Sequence, residues 1–268
     1  MIKDAVSASG GHNPDGKIAC GTVNKTLDMY ESTEDRYITK KVVEYLKQDG
    51  KKAYDCTVDN GTDQDDVLDK LAEKHNAKGS EWDISIHFND VKNKDYIGDG
   101  DTVGTEVWYY SKSKYASEIK KRASLISSNI AKIGFEDRGA KSSTGLRFLK
   151  DTNGKAMIIE VCFCSDKDDV ALYKANRDKV ARAIADGIQG KVYNLKEEGD
   201  DEVKLMITYL GDADLFAAVM VAQKNKAPLM KVSDFKSSCI KAEKVIQIGG
   251  NAADTDRYAT FKNAAKLL

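Results

Sequence analysis

Residues 83–90 read DISIHFND. Ile84, Ile86 and Phe88 alternate with Ser85, His87 and Asn89, the period-two pattern of a β-strand with one apolar face and one polar face. His87 falls in the polar set and is one of only three histidines in the chain. An exposed histidine, or one hydrogen-bonded by a neighbouring loop, explains that position unless other ligand-type residues converge on it.

Outward from this strand, residues 1–193 alternate strand-like and helix-like runs, the pattern of an α/β fold with helices packed on a sheet. AVSA, KAYDC, DISIHF, GTEVWYY and AMIIEVCF read as strands, and residues 31–48, 63–76, 114–132 and 166–190 as helices. DVKNKDYIGDGDTVG, after His87, reads as a Gly/Asp-rich loop placed to contact a substrate. NLKEEGDDEVK has the composition of an exposed linker. The boundary is therefore set at residues 194–202. Beyond it, residues 203–268 read as a miniature α/β module with strands VKLMITYL, APLMKV and VIQIGG and helices DADLFAAVMVAQKNK and DTDRYATFKNAAKLL. A module this small buries a modest core, so self-association through an exposed apolar face is expected.

The 268 residues are 41% hydrophobic, and 42 Lys and Arg balance 43 Asp and Glu, leaving a formal charge of −1. That balance supplies no global field for nucleic acid or an anionic membrane. The first residues lack the apolar run of a signal peptide, and no stretch is long enough to span a bilayer, so the chain is expected to remain in the cytoplasm. Cys20, Cys56, Cys162, Cys164 and Cys239 have no zinc-ribbon spacing and read as reduced thiols, with VCFC as strand core.

Two further residues converge on the question raised by His87. His12 lies in SGGHNPDG, a glycine-flanked turn directly after the first strand, where α/β folds build their sites. Glu31 opens a helix and falls near the centre of the stripe formed by Ile38, Val42 and Tyr45, so it points at the core and needs a partner. His12, Glu31 and His87 together form a two-His, one-carboxylate set, the ligand chemistry of catalytic zinc with a fourth position left to water. Glu160 is an isolated acid inside the apolar run AMIIEVCF. It is either half of a structural ion pair, with Arg138 or Arg147, or a general base and acid beside the metal. His75 matches no ligand position and is expected to be exposed at a helix end.

GHN near the start, YESTEDRYITKKVVEYLKQDG, DISIHFND, GTEVWYY, DRGAKSSTGLRFLK and IIEVCF occur in an order and spacing that resemble the zinc-dependent N-acetylmuramoyl-L-alanine amidases of bacterial autolysins and phage endolysins. The resemblance covers residues 1–193. It implies a mixed, mostly parallel sheet flanked by helices, one catalytic Zn2+ held by His12, Glu31 and His87, and Glu160 as the catalytic acid. It also implies hydrolysis of the amide joining N-acetylmuramic acid to L-alanine in peptidoglycan. Asn89 and Arg147, by their proximity to these motifs, are expected to position the substrate or the glutamate. A zinc peptidase cutting the stem peptide is the neighbouring enzyme class, and a wall-binding protein with an inert first domain the non-enzymatic one.

VIQIGGNAADTDRYATF resembles the cell-wall-binding repeat of clostridial surface proteins, which implies a clostridial wall polymer as the module's ligand. The purine-rich codons of KEEGDDEVKLM would place an internal translation start before Val203 or Met206, giving a fragment able to pair with the intact chain. The absent signal peptide favours a phage endolysin, released to the wall by a holin, over a host autolysin of the same activity.

Overall fold

The computed structural model describes residues 1–90, 95–194, 203–237, 240, 242–250 and 256–268. The expected linker, Cys239, and parts of the loop after His87 and of the last helix signature lie outside these residues. The chain divides into two compact units, Met1–Leu195 and Lys196–Leu268.

The first unit runs β1 (Ile2–Gly10), β2 (Val23–Asn24), β3 (Met29–Tyr30), α1 (Glu31–Gln48), β4 (Ala53–Asp55), α2 (Gln64–Lys78), β5 (Ser80–Asn89), β6 (Thr105–Tyr110), α3 (Ala116–Ala131), β7 (Asp137–Ser143), α4 (Arg147–Asp151), β8 (Lys155–Phe163), α5 (Lys167–Ala175) and α6 (Arg177–Ile188). Six strands form one sheet in the order β4-β1-β5-β8-β6-β7. β4, β1, β5 and β8 are mutually parallel; β6 runs antiparallel to β8 and parallel to β7. This is the mixed, mostly parallel α/β sheet expected. The chain steps from β1 outward to β4 and returns to the other side of β1 as β5. That reversal opens a crevice at the carboxyl ends of β1 and β5, where such folds place ligands.

One face of the sheet packs Ile84, Ile86, Phe88, Met157 and Ile159 against Ile38 and Val42 of α1, Ile126 of α3 and Ile184 of α6. On the opposite face, Phe148 and Leu149 of α4 cover Ala156 and Ile158. Because both faces are covered, the polar side of β5 is not solvent-facing: Asp83 and Ser85 are 1% exposed. His75 is likewise buried, not exposed at a helix end. Its Nδ1 lies 3.0 Å from Asp83 Oδ1 and its Nε2 3.0 Å from Ser9 Oγ, and its ring meets Phe148 edge-on. A buried imidazole needs such partners, and β5 and β1 supply them to the inward face of α2.

Helix α1 matches its expected span. The run expected as one helix over 166–190 is two, broken at Asn176, whose backbone leaves the helical region and whose Nδ2 donates to Leu172 O. Strand β7 and helix α4 were not anticipated: DRGAKSS lacks apolar alternation because it is an edge strand whose residues are half-exposed or exposed.

The second unit contains β9 (Met206–Tyr209), α7 (Leu215–Asn225), β10 (Leu229–Lys231), α8 (Val232–Ser237), β11 (Val245–Ile248) and α9 (Arg257–Ala265). Its strands form a parallel sheet in the order β10-β9-β11. Ile207, Ala218, Val221 and Ile248 form its small core, while Phe216 and Tyr258 are 66% and 79% exposed. Among the described residues no helix is long and apolar enough to cross a membrane.

Candidate metal centre

His12 follows β1 by two residues, Glu31 is the first residue of α1, and His87 lies near the carboxyl end of β5. The fold brings all three to the crevice. Glu31 Oε1 lies 3.0 Å from His12 Nε2 and 3.2 Å from His87 Nδ1, and the two ring nitrogens are 3.1 Å apart. Two glycines allow this approach. A Cβ on Gly11 would sit 1.9 Å from His87 Cε1, and one on Gly21, whose φ is +75°, 2.6 Å from Glu31 Oε2.

Burial opposes the charge of Glu31, but the hydrogen bonds and charges of His12 and His87 overcome it and hold the carboxyl well below the usual range. Backbone N–H groups of Phe88 and Thr22 donate to its two oxygens, at 3.0 and 2.7 Å. Burial, opposed by Glu31, pushes the His87 imidazole down and favours its neutral form. Its Nε2 is 2.8 Å from Ser85 Oγ, a bond that orients the ring and leaves the Nδ1 lone pair facing the cluster.

Zinc fits this donor set. A tetrahedral ion with bonds of about 2.0–2.1 Å spaces its ligands by roughly 3.3–3.4 Å, close to the triangle found here. A proton between two of these atoms leaves the third without one, whereas one cation satisfies all three lone pairs.

Glu160 sits opposite His87 in the β5–β8 register and opposite Glu106 in the β8–β6 register, so the three side chains share one face in a row. Burial, then the charges of Glu31 and Glu106, raises the Glu160 carboxyl well above its ordinary value. Its Oε2 is buried with no hydrogen-bond partner among the described residues. Neither arginine considered for an ion pair reaches it. Arg138 Nε bonds Glu106 Oε2 at 2.8 Å.

Arg147, expected to position substrate, has its guanidinium paired with Asp65 and Asp69 of α2 and Asp151 of α4. Asn89 does join the site's surroundings, its Nδ2 donating to Glu106 Oε1 at 3.3 Å. Glu106 was missed by the sequence reading, although an isolated acid within GTEVWYY carries the same signal as Glu160 in AMIIEVCF. It is 3% exposed and also accepts from Trp108 Nε1 at 3.0 Å. Asp35 was missed too. Burial first, then the charge of Glu31, pushes its carboxyl to about 8 against the opposing charge of Arg36, and a Cβ on Gly10 would lie 2.4 Å from its Oδ1.

Comparison with known proteins gives the chain's family. An uncharacterised protein of Clostridium perfringens (strain 13 / Type A) is 31% identical over 204 residues, 74% of this chain and 56% of that protein. The endolysin of Bacillus phage SPP1 is 28% identical over 174 residues, 62% of this chain and 60% of the endolysin. The chain spans about half the length of the curated relatives it matches. Among solved structures, an N-acetylmuramoyl-L-alanine amidase from Clostridium difficile 630 is 27% identical with a TM-score of 0.54, covering 69% of this chain and 95% of that one. The catalytic domain of the CD27L endolysin targeting Clostridia difficile shares the fold, with a TM-score of 0.57 and 21% identity over 71% of this chain and 99% of its own. The family model for N-acetylmuramoyl-L-alanine amidase matches residues 7–190, the span that carries all four residues of the centre, and the chain belongs to that family.

Proposed function

We propose that the first unit is a zinc amidase that hydrolyses the amide between the lactyl group of N-acetylmuramic acid and L-alanine in peptidoglycan. The observation that carries this reading is the convergence of His12 Nε2, Glu31 Oε1 and His87 Nδ1 beside Glu160, whose buried Oε2 has no hydrogen-bond partner among the described residues. His12, Glu31 and His87 would hold the ion. Zinc bound there supplies a Lewis acid, able to lower the pKa of water from ~16 to ~7 and to polarise a carbonyl.

Glu160 then performs the proton transfers. It accepts a proton from the water whose oxygen adds to the amide carbonyl carbon, and it returns that proton to the nitrogen as the C–N bond breaks. Its position on a central strand fixes it beside the ligands, and Thr105 Oγ1 holds its backbone carbonyl at 3.0 Å. Asn89 orients the surroundings through Glu106. No covalent intermediate is required.

The test is digestion of purified clostridial walls with identification of new N-termini. Zinc-dependent release of N-terminal alanine, abolished by chelator, supports the reading. Glu160→Gln is expected to keep zinc and lose about 10²–10⁴ in rate. Full activity in that variant, or N-termini other than alanine, overturns it, the latter in favour of stem-peptide cleavage.

The biological setting we propose is that of a phage endolysin, reaching the wall through a holin-permeabilised membrane; the similarity to the Bacillus phage endolysin supports it. The second unit is proposed to bind a clostridial wall polymer and to associate with a second copy or with its own separately translated fragment. The exposed Phe216, Met220, Tyr258 and Phe261 of α7 and α9 support that reading. Sedimentation of the full chain as a strict monomer at micromolar concentration would refute the association.

A further inference from the structure

The row of side chains on the site's face does not end at Glu106. Between Thr105↔Asp137 and Val107↔Ala140 the β6–β7 register shifts, so Arg138 and Gly139 together oppose Glu106. Gly139 adopts φ +72°, a left-handed conformation open to glycine, within this β-bulge. The bulge is pinned: Asp137 Oδ1 accepts Gly139 N at 3.0 Å, and Ser127 Oγ both accepts Gly139 N at 3.1 Å and donates to Thr105 O at 3.2 Å. Bulges beside active sites re-aim side chains. This one turns Arg138 over the Phe163 ring, 5.0 Å from its centroid, with Nε on Glu106 Oε2.

Pairing with Glu106 uses one edge of the guanidinium. Its Nη1 makes only a 3.5 Å contact with Val103 O, Nη2 has no partner among the described residues, and the side chain is 37% exposed. Arg36, beside His12, differs: its nitrogens are bonded to Ser32, Asp35, His12, Val58 and Asp59. A counterion for Glu106 needs no open edge.

We infer that Arg138 is a specificity-determining residue that binds a carboxylate on the peptide side of the scissile amide. The inference rests on the amidase reading. In the stem peptide the residue after L-alanine is D-glutamate linked through its side chain, which leaves its α-carboxylate free. With consecutive Cα atoms 3.8 Å apart, that carboxylate lies roughly 6 Å from the scissile nitrogen. Adjacent strands are about 4.8 Å apart, so an arginine two strands from Glu160 and bent back towards Glu106 spans the interval. Its open edge offers the parallel N–H pair that a carboxylate accepts.

The experiment compares N-acetylmuramoyl-L-alanyl-D-glutamate with its α-amide, the D-isoglutamine form, as substrates of the full zinc-loaded chain, and measures binding of both to full-length Glu160→Gln by calorimetry. The wild type is expected to prefer the free acid roughly ten- to hundredfold in kcat/KM, mainly through KM, the scale of charge-assisted hydrogen bonds. The same order is expected in the binding constants. In Arg138→Gln the preference disappears, and Arg138→Lys restores part of it. A wild type indifferent to the amide, or an Arg138→Gln variant that keeps the preference, overturns the inference while leaving the amidase reading intact. Hydrolysis of neither probe overturns both.

Discussion

Gly11→Ala adds one methyl carbon 1.9 Å from Cε1 and 2.1 Å from Nε2 of His87. Gly11 is not among the residues with positive φ, so alanine suits the backbone there and the effect is steric. Carbon atoms rest roughly 3.5–4.0 Å apart, so the ring or the loop carrying His12 must give way by at least about 1.5 Å. Either movement pulls a ligand nitrogen out of the 3.0–3.2 Å triangle, and a ring shift also breaks the bond to Ser85. A misplacement of about 1 Å costs on the order of a hundredfold in rate, or about 2.7 kcal/mol. The variant is therefore expected to lose zinc on dialysis and to release N-terminal alanine from walls at least about a hundredfold more slowly. Metal content, wall hydrolysis and thermal melting are measured together. Gly145→Ala serves as the control, because its added carbon meets nothing closer than Ser143 Oγ at 4.0 Å. A folded Gly11→Ala protein with full zinc and the wild-type rate would refute the assignment of His87 and His12 to one ion.

His75→Ala leaves the buried Asp83 side chain with the Gly154 N–H at 2.8 Å as its remaining partner among the described residues, and is expected to cost about 1–3 kcal/mol in chemical denaturation. The specific activity of the folded fraction should persist; loss of activity without loss of stability would show that this residue belongs to the chemistry instead. Arg147→Ala should leave hydrolysis and the denaturation midpoint nearly unchanged, since its ion pairs are on the surface; a large fall in kcat/KM would mark it as a substrate residue. Burial pushes the Asp169 carboxyl up to about 7 against the N–H groups of Phe163 and Gly104. Between pH ~4 and that value the folded chain holds a proton the unfolded chain has released, so stability falls as pH rises through this window, by at most about 4 kcal/mol. Asp169→Asn, which cannot ionise, should show a shallower decline in denaturant midpoint from pH 5 to 7.5; equal slopes would exclude the residue.

The residue types of the centre and the class of fold were legible in the chain itself. Period-two alternation in DISIHFND and the helical stripe through Glu31, Ile38 and Val42 depend on local geometry, which is set by neighbours in sequence. The isolated acids Glu160 and Glu106 were equally readable, since an apolar strand does not tolerate a carboxylate without a reason. Tertiary structure decided the rest. His75 looked exposed and Arg147 available, yet β1 and β5 bury the first and carboxylates of α2 and α4 hold the second, because most of these partners lie outside the residue's own element. DRGAKSS carries no strand pattern because this edge strand is half-exposed or exposed along its length and needs no apolar alternation, and only its register against β6 places Arg138 at the end of the row. A sequence specifies which groups need partners; the three-dimensional pairing of strands determines which partners they meet, because pairing depends on contacts between distant segments that no local periodicity encodes.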